Sequence, residues 1–145
     1  GEKVGVGLVL SSKIYHKAAE KMLAGEFKVK DKMPIEEDLI REKFNKPGMF
    51  DIIMEENTPN LLEQVDSKKL IEHKEEIAAI INEIPTDEEL IAMINKVEGV
   101  KSLEDLGFDE SYQEKTAKLS PYVRARITFM RLLKFYDFYE EVISC

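Results

Sequence analysis

Apolar and small residues near the start of the chain recur every three or four positions, at Val4, Leu8, Ser11, Tyr15, Ala18, Ala19 and Met22. This spacing predicts an amphipathic helix over residues 3–24. Gly25 directly after it is a typical helix-ending residue. The alternation of apolar and polar residues that marks half-buried strands does not occur convincingly anywhere in the sequence. The pattern therefore predicts an all-α fold.

Helix-starting and helix-breaking residues divide the rest of the chain. Pro34 predicts the first position of a second helix with Ile35, Leu39, Ile40 and Phe44 on one face. A short helix is predicted over residues 49–55, and residues 61–65 are ambiguous. Asp66-Ser67 predicts the cap of one long helix whose apolar stripe comprises Leu70, Ile71, Ile77, Ile80 and Ile81.

The second half contains three further predicted helices. Thr86 and Glu89 form a capping-box pattern, after which Leu90, Ile91, Met93, Ile94 and Val97 are predicted to face inward. A short turn over residues 102–107 ends at Gly107, and Asp109 caps the next helix. Ser120-Pro121 predicts the start of a last helix that is apolar on nearly all sides, through Val123, Ile127, Phe129, Met130, Leu132, Leu133, Phe135 and Phe138. About seven helices in one domain, residues 1–145, predict a helical bundle.

The amino-acid composition of the chain disfavours several classes of protein. The net charge is −8, with 29 acidic residues against 21 Lys and Arg, and this balance disfavours a nucleic-acid-binding protein. The apolar runs are too short to span a bilayer, and the first residues lack the features of a signal peptide. A single Cys, Cys145, excludes an intramolecular disulfide and fits a reducing compartment, so we expect a cytoplasmic protein.

Each pattern that could carry chemistry has a simpler structural interpretation. Gly5 and Gly7 resemble part of a dinucleotide-binding loop, but the preceding strand and the third glycine are absent, which favours close packing of a neighbouring element. The two histidines, His16 and His73, are far apart and have only a carboxylate nearby in sequence, which argues against a metal site. Cys145 is a poor candidate nucleophile because it ends the chain.

The charged residues also have two interpretations. Acidic pairs occur at Glu36 to Asp38, Glu55-Glu56, Glu75-Glu76, Glu88-Glu89 and Glu140-Glu141, and we expect them on solvated surface rather than in an acid–base site. Arg124, Arg126 and Arg131 fall within the last predicted helix, where Arg124 and Arg131 would share a face. They could bind an anionic ligand or a partner domain, although neutralisation of neighbouring acids is the favoured interpretation.

Three motifs resemble the metal-dependent polyol dehydrogenases related to iron-containing alcohol dehydrogenases and dehydroquinate synthase. The opening GEKVGVG (residues 1–7) resembles the family's His-Gly-Glu-x-Val motif without its histidine. GVKS through DLGF (residues 99–108) and VRARIT followed by LL (residues 123–133) resemble two segments near the family's C-terminus. Ile127 stands where the family often has an aromatic residue. The VGVG continuation is most similar to the sn-glycerol-1-phosphate dehydrogenase branch.

The resemblance implies the C-terminal helical domain of a two-domain enzyme. In the family, the histidine before this glycine is a metal ligand, so the chain would start directly after it, without the nucleotide-binding half and the other ligands. The full-length enzyme would use NAD or NADP and zinc or another divalent metal to reduce dihydroxyacetone phosphate, whereas this chain alone would bind neither and be inactive. Lys3, three positions after that histidine, is the one candidate for contact with the substrate phosphate.

Two other functions remain open at this point. One is a fragment of a glycerol dehydrogenase, which acts on the unphosphorylated polyol. The other is an independent acidic helical module that binds partner helices. The expected partners are the nucleotide-binding half and, as a further possibility, other copies of the same chain.

Overall fold

The structure, a computed structural model, describes residues 1–144 and confirms the all-α prediction. In this part of the chain, nine α-helices and four short 3-10 helices are found and no strand is named. The α-helices are α1 (Glu2–Ala24), α2 (Glu37–Lys43), α3 (Met49–Glu56), α4 (Lys68–Glu72), α5 (Lys74–Asn82), α6 (Asp87–Asn95), α7 (Tyr112–Leu119), α8 (Phe129–Leu132) and α9 (Tyr139–Ile143). The 3-10 helices are Leu61–Gln64, Glu104–Leu106, Ser120–Tyr122 and Leu133–Phe135. Within residues 1–144, no helix has the length and apolarity needed to cross a bilayer.

Helix α1 is the central element of the bundle. It packs against α5, α6, α8 and α9. Of the predicted stripe, Ala18, Ala19 and Met22 are buried but Val4 and Leu8 are exposed, and Val6 and Ile14 are buried instead. The helix ends at Ala24 before Gly25, so its predicted bounds are confirmed to within one residue.

Local capping signals also predicted α6 correctly. The Thr86 hydroxyl accepts a hydrogen bond from Glu89 N (3.2 Å), and Glu89 Oε2 accepts one from Thr86 N (2.8 Å). The predicted inward apolar face is confirmed only in part: Leu90, Ile91 and Ile94 are half-buried, whereas Met93 and Val97 are exposed, and α6 has no fully buried residue. Helix α6 lies on the outside of α1 and packs along one side only.

The second helix starts later than Pro34 predicted. It begins at Glu37, and the residues before it are pinned by a distant side chain. Glu36 N donates to the Tyr122 hydroxyl at 3.1 Å, across 86 positions of sequence. This contact holds the segment before α2 in a non-helical path, which the Pro34 signal could not indicate.

The single long helix predicted after Ser67 is two helices. His73, with φ −104° and ψ 23°, separates α4 from α5. As a result the predicted stripe is divided: Leu70 and Ile81 are buried, whereas Ile71 and Ile80 are exposed. The predicted capping role of Asp66 agrees with its Oδ1 accepting from Lys68 N at 3.2 Å.

The predicted continuous last helix was also wrong. Residues 120–143 instead form Ser120–Tyr122, a bend, α8, Leu133–Phe135 and α9. Lys30 N donates to Phe135 O (2.8 Å) and Asp137 N donates to Lys28 O (3.0 Å), so backbone groups that a helix would pair internally bond to a segment near residue 29. The apolar side chains of residues 129–143 still belong to the core, where Leu133, Phe135 and Val142 are fully buried.

Candidate functional site

One face of α1 remains uncovered near its beginning. Val4 is 64% exposed and Leu8 is 55% exposed, and the two lie one helical turn apart. We call Val4, Gly7 and Leu8 the α1 ridge. Val6 does not belong to this uncovered face, since it is 2% exposed and part of the core.

The two glycines of α1 differ in their surroundings. A Cβ at Gly5 would lie 3.5 Å from Val100 O, so the predicted close packing holds there, against a segment of this same chain. A Cβ at Gly7 would meet no atom within 4 Å. Gly7 therefore belongs to the open ridge, and Gly5 does not.

Lys3, the residue singled out for substrate phosphate, lies in the exposed first turn of α1. It is one turn before Gly7 and so lies beside the α1 ridge. Its ammonium group makes no hydrogen bond or ion pair to residues 1–144, which leaves it available to an external anion.

A cleft opens further along α1, where residues 120–130 cross it. We call it the arginine cleft, and its volume is about 320 Å3. Its lining residues are Ser11, Tyr15, Ser120, Pro121, Arg124, Arg126, Thr128 and Met130. Ser11 is one turn beyond Leu8, so the α1 ridge leads directly to the cleft.

Tyr15 fixes the crossing segment on α1. Its hydroxyl accepts a hydrogen bond from Met130 N at 3.2 Å, and its ring meets Phe129 edge to face with centroids 5.0 Å apart. Burial raises the pKa of the Tyr15 hydroxyl, and the bond from Met130 N opposes this rise only in part, so the group is neutral at physiological pH. Tyr15 thus supplies a rigid, uncharged wall to the cleft.

Two further contacts shape the loop that carries the arginines. The Thr128 hydroxyl caps α8 by accepting from Arg131 N at 3.3 Å. Glu56 Oε1, at the end of α3, accepts from Ala125 N at 3.3 Å. The backbone between Arg124 and Arg126 is therefore bonded to α3 by a contact that does not involve the arginine side chains.

The structure brings Arg124 and Arg126 together and separates them from Arg131. The first two are exposed and line the cleft, and within residues 1–144 neither guanidinium has a hydrogen bond or ion pair. The prediction that Arg124 and Arg131 share a helix face was wrong, because residues 123–128 are not helical. Arg131 is 1% exposed; its Nη1 donates to Pro121 O at 3.2 Å and its guanidinium lies 5.5 Å from the Tyr122 ring centre.

A charged network around the buried Lys134 adjoins Arg131, and no sequence pattern indicated it. Lys134 Nζ forms an ion pair with Glu36 and donates to Lys118 O at 3.0 Å. The Tyr122 hydroxyl donates to Glu36 Oε2 at 2.7 Å. Glu36 was expected on solvated surface with its acidic neighbours, and that expectation was wrong for this residue. Burial lowers the pKa of Lys134, while the bond to Glu36 counteracts part of that effect.

The remaining candidates lie apart from one another. His16 Nε2 contacts Ile84 O at 2.9 Å, and His73 Nδ1 contacts Glu76 Oε1 at 3.1 Å on the bundle surface. Within residues 1–144, no three His, Cys, Asp or Glu side chains are grouped as metal ligands. Cys145, the candidate nucleophile, lies outside the described residues.

Comparison with protein-family models, with curated proteins and with solved structures finds no match to this chain.

Proposed function

We propose that this chain is the C-terminal helical domain of a metal-dependent, NAD(P)-linked oxidoreductase that reduces dihydroxyacetone phosphate to sn-glycerol 1-phosphate in the cytoplasm. Two observations support it. The motifs at residues 1–7, 99–108 and 123–133 resemble that enzyme family, and the α1 ridge is uncovered on a helix that is otherwise central to the core.

The α1 ridge is the observation on which the proposal depends most. A residue preceding Gly1 and continuing the helix would lie on the same side as Val4 and Gly7, which follow it by four and seven positions. A metal-binding histidine at that position would therefore face the same direction as the ridge. In the proposal, the nucleotide-binding half packs on the ridge and closes the active site against it.

The described residues do not form a metal site by themselves, so the proposal places every metal ligand outside this chain. In the assembled enzyme, the metal would polarise the substrate oxygen and the nicotinamide would carry the hydride. Lys3 would act from this chain by attracting the substrate phosphate, because its exposed ammonium lies beside the ridge and has no partner within residues 1–144.

The first test expresses the open reading frame with its upstream coding sequence and follows oxidation of NADH or NADPH in the presence of zinc. We expect a nucleotide-binding half that ends in histidine, turnover with dihydroxyacetone phosphate, and none from the purified 145-residue chain. Preference for unphosphorylated dihydroxyacetone would indicate a glycerol dehydrogenase instead. Turnover by the isolated chain, or an upstream sequence without a nucleotide-binding half, would refute the proposal.

A second test examines the ridge directly in the full-length enzyme. Leu8→Glu places a charge in the proposed interdomain contact, and we expect it to reduce activity by about tenfold or more, equivalent to at least about 1.4 kcal/mol. Leu23→Glu is the matched control, because Leu23 is 54% exposed near the other end of α1. Equal effects of both substitutions would contradict an interdomain role for the ridge.

A further inference from the structure

We propose that the arginine cleft binds a small phosphomonoester, and that this site is separate from the substrate site of the proposed enzyme. Arg124 and Arg126 line the cleft together with three residues that carry a hydroxyl, Ser11, Ser120 and Thr128. The binding of an anion is argued from the cleft alone, whereas its separation from the substrate site rests on the proposed function.

The main support for the proposal is that Arg124 and Arg126 are not neutralised by an ion pair within residues 1–144. The chain has net charge −8, so acids to neutralise a cation are abundant. Arg41, for comparison, pairs with Glu37 at 3.2 Å and stacks on Phe50 at 3.8 Å. Arg124 and Arg126 have no such partner within residues 1–144. The Glu56 carboxylate contacts this loop through the backbone N–H of Ala125.

The number of hydrogen-bond donors on the residues that line the cleft indicates which kind of anion would bind there. Each guanidinium can present two parallel N–H groups to a planar or tetrahedral oxyanion. Turned towards one anion, these two guanidinium groups and three hydroxyls would offer more hydrogen bonds than the two oxygens of one carboxylate can accept. Three terminal oxygens and up to two charges suit a phosphate better. The volume of about 320 Å3 leaves space for several carbon atoms, since small-molecule sites start at about 300 Å3.

Distance separates this site from the proposed catalytic end of α1. Ser11 is ten positions after Gly1, which corresponds to about 15 Å along the helix axis. A three-carbon phosphate bound near Gly1 and Lys3 could not place its phosphate in the cleft. An anion bound in the cleft would therefore be a second one, distinct from the substrate phosphate, and Lys3 should not contact it.

The test titrates the 145-residue chain with inorganic phosphate and with glycerol 1-phosphate at constant ionic strength, followed by amide chemical shifts. We expect saturable shifts at Ser11, Arg124, Arg126 and Thr128, with tighter binding of the phosphomonoester. Arg124→Gln/Arg126→Gln should weaken binding by about tenfold or more, because charge-assisted bonds are lost. Arg124→Lys/Arg126→Lys should weaken it by a smaller factor, because charge is retained without the planar fork.

Two controls make the result decisive. Lys46→Gln/Lys96→Gln removes two exposed charges elsewhere and should leave affinity within about twofold, given screening at physiological salt. Circular dichroism of each variant checks that it is folded. Shifts without saturation, an equal loss in the Lys46→Gln/Lys96→Gln control, or association only with phosphatidate vesicles would overturn the proposal.

Discussion

Lys134 and Glu36 form an ion pair across 98 positions of sequence, and the Lys134 side chain is 1% exposed. The Glu36 carboxylate also accepts from the Tyr122 hydroxyl. The pair therefore connects the segment before α2 to the C-terminal part of the core. A buried charge of this kind is tolerated only while its partner is present.

Glu36→Gln should destabilise the chain by roughly 3 kcal/mol, because it leaves the buried Lys134 ammonium without its counter-charge. Denaturant unfolding measures the effect. Glu36→Gln/Lys134→Met should be more stable than Glu36→Gln alone, since no unpaired charge remains. Glu37→Gln, which breaks an exposed pair with Arg41, should change stability by no more than about 0.5 kcal/mol. A similar cost for Glu36→Gln and Glu37→Gln would contradict the buried-pair interpretation.

The chain should lose stability as the pH rises above 10. Burial raises the pKa of Tyr136 to about 12, and it also raises the pKa values of Tyr122 and Tyr139. These hydroxyls stay protonated in the folded state after they ionise in the unfolded state, so stability present below pH 10 is lost as the pH rises. The lowered pKa of Lys134 acts in the opposite direction, but three tyrosines outweigh it.

Tyr136→Phe isolates one contribution to this alkaline loss. Its hydroxyl is buried without a hydrogen-bond partner within residues 1–144, so removing it should stabilise the chain by up to about 1 kcal/mol at pH 7. Between pH 10 and 12 the variant should lose about 3 kcal/mol less than the original chain. Thermal unfolding across the pH range tests this, with Tyr112→Phe at an exposed position as control. An unchanged alkaline loss in Tyr136→Phe would show that its hydroxyl ionises freely in the folded state.

Thr86→Ala should cost about 1 kcal/mol, because it removes the side-chain half of the capping box at the start of α6. Ser111→Ala is a useful comparison, since Ser111 occupies the N-cap of α7 without a side-chain capping bond. It should change stability by less than about 0.5 kcal/mol. Urea unfolding of both variants measures the two losses. Equal losses would indicate that removing any hydroxyl at a helix start has the same effect, and would contradict a specific capping contribution of Thr86.

Val6→Ala and Val4→Ala should differ although the two residues are neighbours on α1. Val6 is 2% exposed and Val4 is 64% exposed. Deleting two buried methyl groups at Val6 should cost about 2 kcal/mol, and the change at Val4 should cost less than about 0.5 kcal/mol. Equal losses in denaturant unfolding would mean that the ridge is covered within the chain itself.

The sequence by itself determined the elements that depend on local interactions. Helix α1 follows from helical spacing, α6 from a capping box whose partners are three residues apart, and α3 from a short apolar segment after Gly48. Each of these signals lies within a single helix, so the chain encodes them without reference to distant segments.

Only the tertiary structure decided the path of residues 120–143 and the position of the arginine cleft. A segment that is apolar on all sides cannot indicate by spacing whether it forms one helix or several short turns in the core. Here Lys28 and Lys30 supply backbone partners to Asp137 and Phe135, more than a hundred positions later, in place of helical hydrogen bonds. The same break separates Arg124 and Arg126 from Arg131, leaving two arginines at the surface and burying the third.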